Sequence, residues 1–183
     1  MANISQKQNT YLFVDGSNFR QYFNETTQKW FGQEVEFDFE KIKNFFLAEK
    51  AFYYDCIDDI KTDNETQKGF DTRVDLQEKY LNRIREVEGC HVYLGSLSGR
   101  GKKKRTGNYF NDEVKVFIRQ GIEDFWLYSS TINRGNTALV ISNNDYSNIR
   151  VTSNNLLNHK SFQQLELYFA LIFGEINWNQ QKL

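Results

Sequence analysis

Thr10-Tyr11-Leu12-Phe13-Val14-Asp15-Gly16-Ser17-Asn18 is the stretch whose reading decides the fold of this chain. Residues 11–14 are four apolar side chains in succession, and an unbroken run of that length reads as a strand buried on both faces. The run stops at once in Asp15-Gly16-Ser17-Asn18. A carboxylate at the carboxyl end of a buried strand stands where open α/β sheets place their ligands. Gly16 is expected to let the backbone turn sharply, and Ser17 or Asn18 to cap the helix that follows. The competing reading is local: Asp15 and Asn18 make an Asx turn and a cap, and no chemistry.

Working outward, a second continuous apolar run, Thr137-Ala138-Leu139-Val140-Ile141, again ends in a polar cluster, Ser142-Asn143-Asn144-Asp145-Tyr146. Two further strands are expected at 51–57 and 91–95, and a short one at 149–152. A short helix should begin at 19–23 and give way to a polar loop or insertion over 25–36. Asp38 is placed to cap a helix over 39–48, whose residues Phe39, Ile42, Phe45 and Phe46 keep the helical period. A long amphipathic helix spans 70–87 and stops at Gly89. Asn111 or Asp112 caps another, in which Val114, Phe117, Ile118, Gly121, Ile122, Phe125 and Trp126 follow the i, i+3, i+4, i+7 series. Ser161 with Gln164 has the form of a capping box and opens a last helix through 173. Strands that alternate with helices in this way predict one Rossmann-like α/β domain over 1–183. Its parallel sheet is flanked by helices in three layers, with a polar tail at 1–9.

The 183 residues suffice for one real core, and no apolar run approaches the roughly 20 residues that cross a bilayer. Residues 1–9 lack the apolar stretch of a signal peptide, so a cytoplasmic protein with no membrane partner is expected. Cys56 and Cys90 fall inside strands and read as buried thiols. His91 alternates with its strand neighbours and reads as packing or surface, not as a metal ligand. The net charge of −1 does not point to nucleic acid, so any such site must come from local clustering. Gly99-Arg100-Gly101-Lys102-Lys103-Lys104-Arg105-Thr106-Gly107 supplies it: five cations among nine residues, set on flexible glycines. Lys102, Lys103, Lys104 and Arg105 suit a phosphate backbone, and Tyr109 can stack on an unpaired base. The plainer reading of the run is a solvated surface.

Asp15 and Asp145 would end strands on one side of such a sheet, and Asp112 and Glu113 would open a helix at the same edge. Asp58 and Asp59 also follow a strand, and read as solvated loop. Carboxylates gathered around one crevice form a hard-oxygen site for Mg²⁺ or Mn²⁺. Such ions activate water and steady an in-line displacement at phosphorus. No Ser-His-Asp or Cys-His arrangement and no Gly-x-x-x-x-Gly-Lys loop is present.

Phe13-Val14-Asp15-Gly16-Ser17-Asn18 resembles the opening motif of the NYN domain family of PIN-like nucleases, whose first strand ends in Asp-Gly-x-Asn. Residues 137–142 with Asn143-Asn144-Asp145-Tyr146 resemble the family's strand ending in Ser-Gly-Asp-x-Asp-Phe. Val92-Tyr93-Leu94-Gly95-Ser96-Leu97 is similar to its third strand, and Ser153-Asn154-Asn155-Leu156-Leu157 to the segment leading into its final helix. The resemblance implies a PIN-like fold and a metal-dependent ribonuclease acting on single-stranded or structured RNA. Asp15, Asp145, Asp112 and Glu113 would be catalytic, with Asp15, Asp145 and Glu113 on the metal. Asn18 and Asn144 would join the basic residues in holding substrate. A homodimer is compatible with this reading. Asn144 stands where the family has an acid, which keeps an alternative open: an eroded module that binds RNA or a protein partner without cutting. A Rossmann-like small-molecule binder is a third reading, weakened by the missing glycine-rich fingerprint.

Overall fold

A computed structural model describes residues 9–33, 35, 38–95, 118–122, 136–142 and 156–160. Five strands form one sheet: β1 (Asn9–Asp15), β2 (Ala48–Cys56), β3 (Cys90–Gly95), β4 (Asn136–Ile141) and β5 (Leu156–Lys160). Their order is β3-β2-β1-β4-β5, and every pair is parallel. Helices α1 (Gly16–Phe31), α2 (Phe39–Phe45) and α3 (Gln67–Glu86) lie between β1, β2 and β3 in the chain.

The strand period of two divides the core. Leu12 and Val14 of β1, Ala51 and Tyr53 of β2, and Leu139 and Ile141 of β4 pack with α1, α2 and α3 through Phe19, Phe23, Phe39, Ile42, Leu81 and Ile84. The alternate residues Tyr11, Phe13, Tyr54, Ala138 and Val140 pack against Ile118 and Ile122, in the helical segment 118–122. The three-layer α/β expectation holds. Right-handed crossovers that run in opposite directions along a sheet fall on opposite faces, as these helices do. Gly121 marks the second contact: a Cβ there would stand 2.1 Å from the Tyr54 hydroxyl.

Several boundaries differ from the sequence expectation. Residues 25–31 are not loop; α1 continues to Phe31 and closes on Gly32, whose φ of 69° and N–H bond to the Gln28 carbonyl make a left-handed cap. Its core-facing stripe is Phe19, Tyr22, Phe23, Thr26, Thr27 and Trp30. Two threonines, 4% and 0% exposed, interrupt the apolar pattern that would have revealed it. Thr27 tolerates burial because its hydroxyl donates to the Asn24 carbonyl at 3.1 Å. Helix α1 starts at Gly16, so neither Ser17 nor Asn18 is its cap. Helix α2 ends at Phe45, and β2 begins three residues before its expected start, at Ala48. Asp38 does cap α2, accepting from the Lys41 N–H at 3.1 Å. Leu156–Lys160 is a fifth parallel strand on β4, where the resemblance placed a lead into a helix. The strand expected at 149–152 and the helix at 161–173 lie outside the described residues.

Cys56 and Cys90 are free thiols. Cys90 pairs in register with Ala51, five residues before Cys56, so at about 3.3 Å per residue the two thiols are far beyond disulfide reach. Partial burial pushes the Cys90 thiol up to about 11, against an opposing pull from Lys43.

Candidate functional site

The chain order turns back between β1 and β4: β2 and β3 lie on one side of β1, and β4 and β5 on the other. Crossovers leaving such a point on opposite faces open a crevice outside the carboxyl ends of the strands. Asp15 ends β1 there, and Ser142 follows the last residue of β4. Both are buried, at 1% and 0% exposure, and the Ser142 hydroxyl donates to Asp15 Oδ2 at 3.1 Å. Asp15 also occupies the N-cap position of α1, yet its side chain makes no cap hydrogen bond. The cap expected of Asp15 in the local reading is thus not formed. Its Oδ2 is held from the end of the neighbouring strand.

The backbone beside Asp15 is pinned from β2. The Tyr53 hydroxyl donates to the Gly16 carbonyl at 3.0 Å and lies 2.9 Å from the Tyr80 hydroxyl of α3. Tyr53 has one proton, which goes to Gly16, so Tyr80 donates in the second bond. Burial, and then the neighbouring Tyr80, hold the Tyr53 hydroxyl well above the ordinary tyrosine range. Burial likewise raises Tyr80. Both therefore remain protonated donors at neutral pH. Arg20 of α1 places its guanidinium 5.1 Å from the centre of the Tyr80 ring. The Tyr53 ring also explains Gly16. Among the described glycines only Gly32 and Gly89 have positive φ, so Gly16 is not there for a special turn. A Cβ on Gly16 would stand 2.3 Å from Tyr53 Cε1; the glycine makes room for the ring.

Asp55 is the acid that sequence reading passed over. It lies one residue beyond the level of Asp15, whose register partner is Tyr54, and it too is 1% exposed. Its Oδ1 accepts from the N–H of the next residue, Cys56, at 2.8 Å. The signal was a lone acid inside Phe52-Tyr53-Tyr54-Asp55-Cys56-Ile57, an otherwise uncharged strand. Asp58, expected in a solvated loop, is instead clamped. Arg73 of α3 approaches its carboxylate at 3.1 Å, donates to the Asp58 and Ile60 carbonyls, and forks onto both oxygens of Glu65. The loop leaving β2 is thereby tied to α3.

Of the residues expected at the site, the structure describes Asp15 in full. Asn18 is the third residue of α1, and its side chain is outside the described residues. Lys102, Lys103, Lys104, Arg105, Tyr109, Asp112, Glu113, Asn144 and Asp145 all lie outside them. Among the described residues no group of three or more His, Cys, Asp or Glu gathers to hold a metal. What they do supply is one carboxylate and one hydroxyl, a hard-oxygen pair that fits Mg²⁺ or Mn²⁺ in kind and not a thiophilic ion. No described helix is long and apolar enough to cross a membrane. Comparison with protein-family models, with curated proteins and with solved structures finds no match to this chain.

Proposed function

We propose that this chain is a metal-dependent ribonuclease that hydrolyses RNA phosphodiesters at the carboxyl ends of β1 and β4. The observation that carries the reading is Asp15: a carboxylate at 1% exposure, oriented by Ser142 from across the switch point and not used as a helix cap. Removing a carboxylate from water is costly, and a bound cation is one of the few things that offsets it. Asp145 follows Ser142 by three residues, which holds its Cα within about 11 Å of that serine whatever path the chain takes. Asp15, Asp145 and either Asp112 or Glu113 would share the ion, which when bound supplies an activated water and steadies charge at phosphorus. The chain's own part is to orient and to bind. Ser142 fixes one Asp15 oxygen, and Tyr53 fixes the backbone one residue on. The first turn of α1, with Asn18, presents N–H groups that suit a phosphate. Lys102 to Arg105 and Tyr109 would hold RNA beside it.

A second reading has its own support: Asn144 stands where the NYN family has an acid. That reading is an eroded module that binds RNA, or a protein partner, without cleavage. Incubating the pure protein with single-stranded and structured RNA in Mn²⁺, Mg²⁺ or chelator decides between the two. Cleavage is expected in Mn²⁺ above Mg²⁺, none in chelator, and none for Asp15→Asn in a folded protein. RNA that stays intact with both the wild type and Asn144→Asp, at all metal concentrations, leaves the binding module.

A further inference from the structure

We infer that Tyr93 and His91, on the edge strand β3, present a stacking platform for the unpaired bases of single-stranded RNA. The inference rests on RNA as the ligand proposed above and adds which form of RNA is preferred.

His91 and Tyr93 are two residues apart in β3 and therefore share one face of the sheet. Their register partners are Phe52 and Tyr54. The rings follow the register. Phe13 stacks on Phe52 at 5.0 Å and 22°, and Phe52 on His91 at 5.4 Å and 17°. Tyr54 stacks on Tyr93 at 5.2 Å and 15°. Two rows of nearly parallel rings thus run across the strands, from buried Phe13 and Tyr54 outward to β3. In each row the inner ring covers the inner face of the last one. β3 is the last strand of the described sheet, so no described strand lies beyond the outer faces. His91 is exposed and Tyr93 is 49% exposed, while the rings behind them are buried or half-buried.

This arrangement suits a base more than it suits an aliphatic partner. Both rings are already aligned by their neighbours, so little side-chain freedom remains to be lost when a flat ligand arrives. Every base has a π-face, and stacking on an aromatic residue is worth about 1–3 kcal/mol per base regardless of sequence. Strand β3 carries no acid that would repel phosphate, and Arg100, the first of the five cations in 99–107, follows Gly95 by five residues. Chain length alone keeps the Cα of Arg100 within about 18 Å of that of Gly95. A duplex hides its base faces in its own stack and gains nothing here.

The test is binding in chelator, so that cleavage cannot interfere, read by anisotropy of a labelled RNA. Three probes of one length are compared: a single strand, a duplex, and an abasic ribose-phosphate strand. The wild type is expected to bind the single strand well ahead of the other two. Tyr93→Leu should weaken single-strand binding about tenfold, while Tyr93→Phe, which keeps the ring, should not. His91→Ala should weaken it less. The salt slope should stay unchanged in all variants, because stacking releases no counterions. Equal affinity for the abasic strand, wild-type affinity in Tyr93→Leu, or no single-strand binding by the wild type would each overturn the inference. So would a dimer of the chain that Tyr93→Leu dissociates with RNA affinity intact, since an edge strand also invites pairing with a second copy. Cleavage is read separately in Mn²⁺: a protein that binds through Tyr93 but never cuts loses the nuclease reading and keeps this one.

Discussion

Asp15 and Asp55 close neighbouring parallel strands one level apart, and each is 1% exposed, but they are held in different ways. Asp15 takes its hydrogen bond from Ser142, 127 residues away and on the other side of the switch point. Asp55 takes one from the N–H of its own next residue. A carboxylate oxygen held by the next residue's N–H, as Asp55 Oδ1 is, is fixed by local backbone alone. One oriented by another strand's end is positioned relative to a second element, which is what a site requires. Burial alone would have ranked the two acids equally; the origin of the donor separates them.

The sharpest test of that difference pairs the two amides. Asp15→Asn is expected to lower metal-dependent cleavage by more than the roughly 10–100-fold typical of losing an outer partner at a metal site. Asp55→Asn keeps an oxygen to accept from Cys56 N–H and should leave cleavage near the wild-type rate. Equal losses in single-turnover assays would erase the distinction. Ser142→Ala follows in size. It removes only the group that orients Asp15, so a loss of about 10-fold is expected, at the lower end of that same range. A rate unchanged in Ser142→Ala would mean that the contact is packing and nothing more.

Two further variants probe the link between the strand ends. Gly16→Ala drives a methyl into the Tyr53 ring, whose Cε1 would be 2.3 Å away. Overpacking of a filled core costs about 1–3 kcal/mol. For a chain of this size each 1 kcal/mol lowers Tm by roughly 2–4 °C. Gly32 gives the control: nothing lies within 4 Å of a Cβ there, so Gly32→Ala should lose only the cost of its positive φ. Tyr53→Phe is the smallest effect. It leaves the ring in place but deprives the Gly16 carbonyl and the Tyr80 hydroxyl of a partner, for about 0.5–1.5 kcal/mol in thermal or urea unfolding. A Tyr53→Phe protein as stable as wild type would show that water replaces the hydroxyl.

Much of the scaffold was legible because its signals are local. The two uninterrupted apolar runs at 11–14 and 137–141 became β1 and β4, the central pair, since only a strand covered on both faces can bury such a run. Asp38 as a cap was readable from one residue; Gly89, expected to stop α3, instead takes its φ of 72° in the turn into β3, and the helix closes earlier, on Val87. Helix α1 was cut short because buried Thr26 and Thr27 look polar in sequence, and their suitability rests on packing that sequence does not display. Asp55 was missed for the opposite reason: as the lone acid in the otherwise uncharged run 51–57, it read as part of the strand and not of its end.

The sequence by itself determined that Asp15 would stand at the carboxyl end of a buried strand, because hydrophobic period and strand length are properties of neighbouring residues. Only the tertiary structure decided what that acid meets. Strand order placed Ser142 beside it, and register brought Tyr53 under Gly16. It also lined Phe52 with His91 and Tyr54 with Tyr93 along the sheet. Those contacts join residues tens to more than a hundred positions apart. No local propensity encodes them; they exist once parallel pairing has fixed which strands are neighbours and at what level.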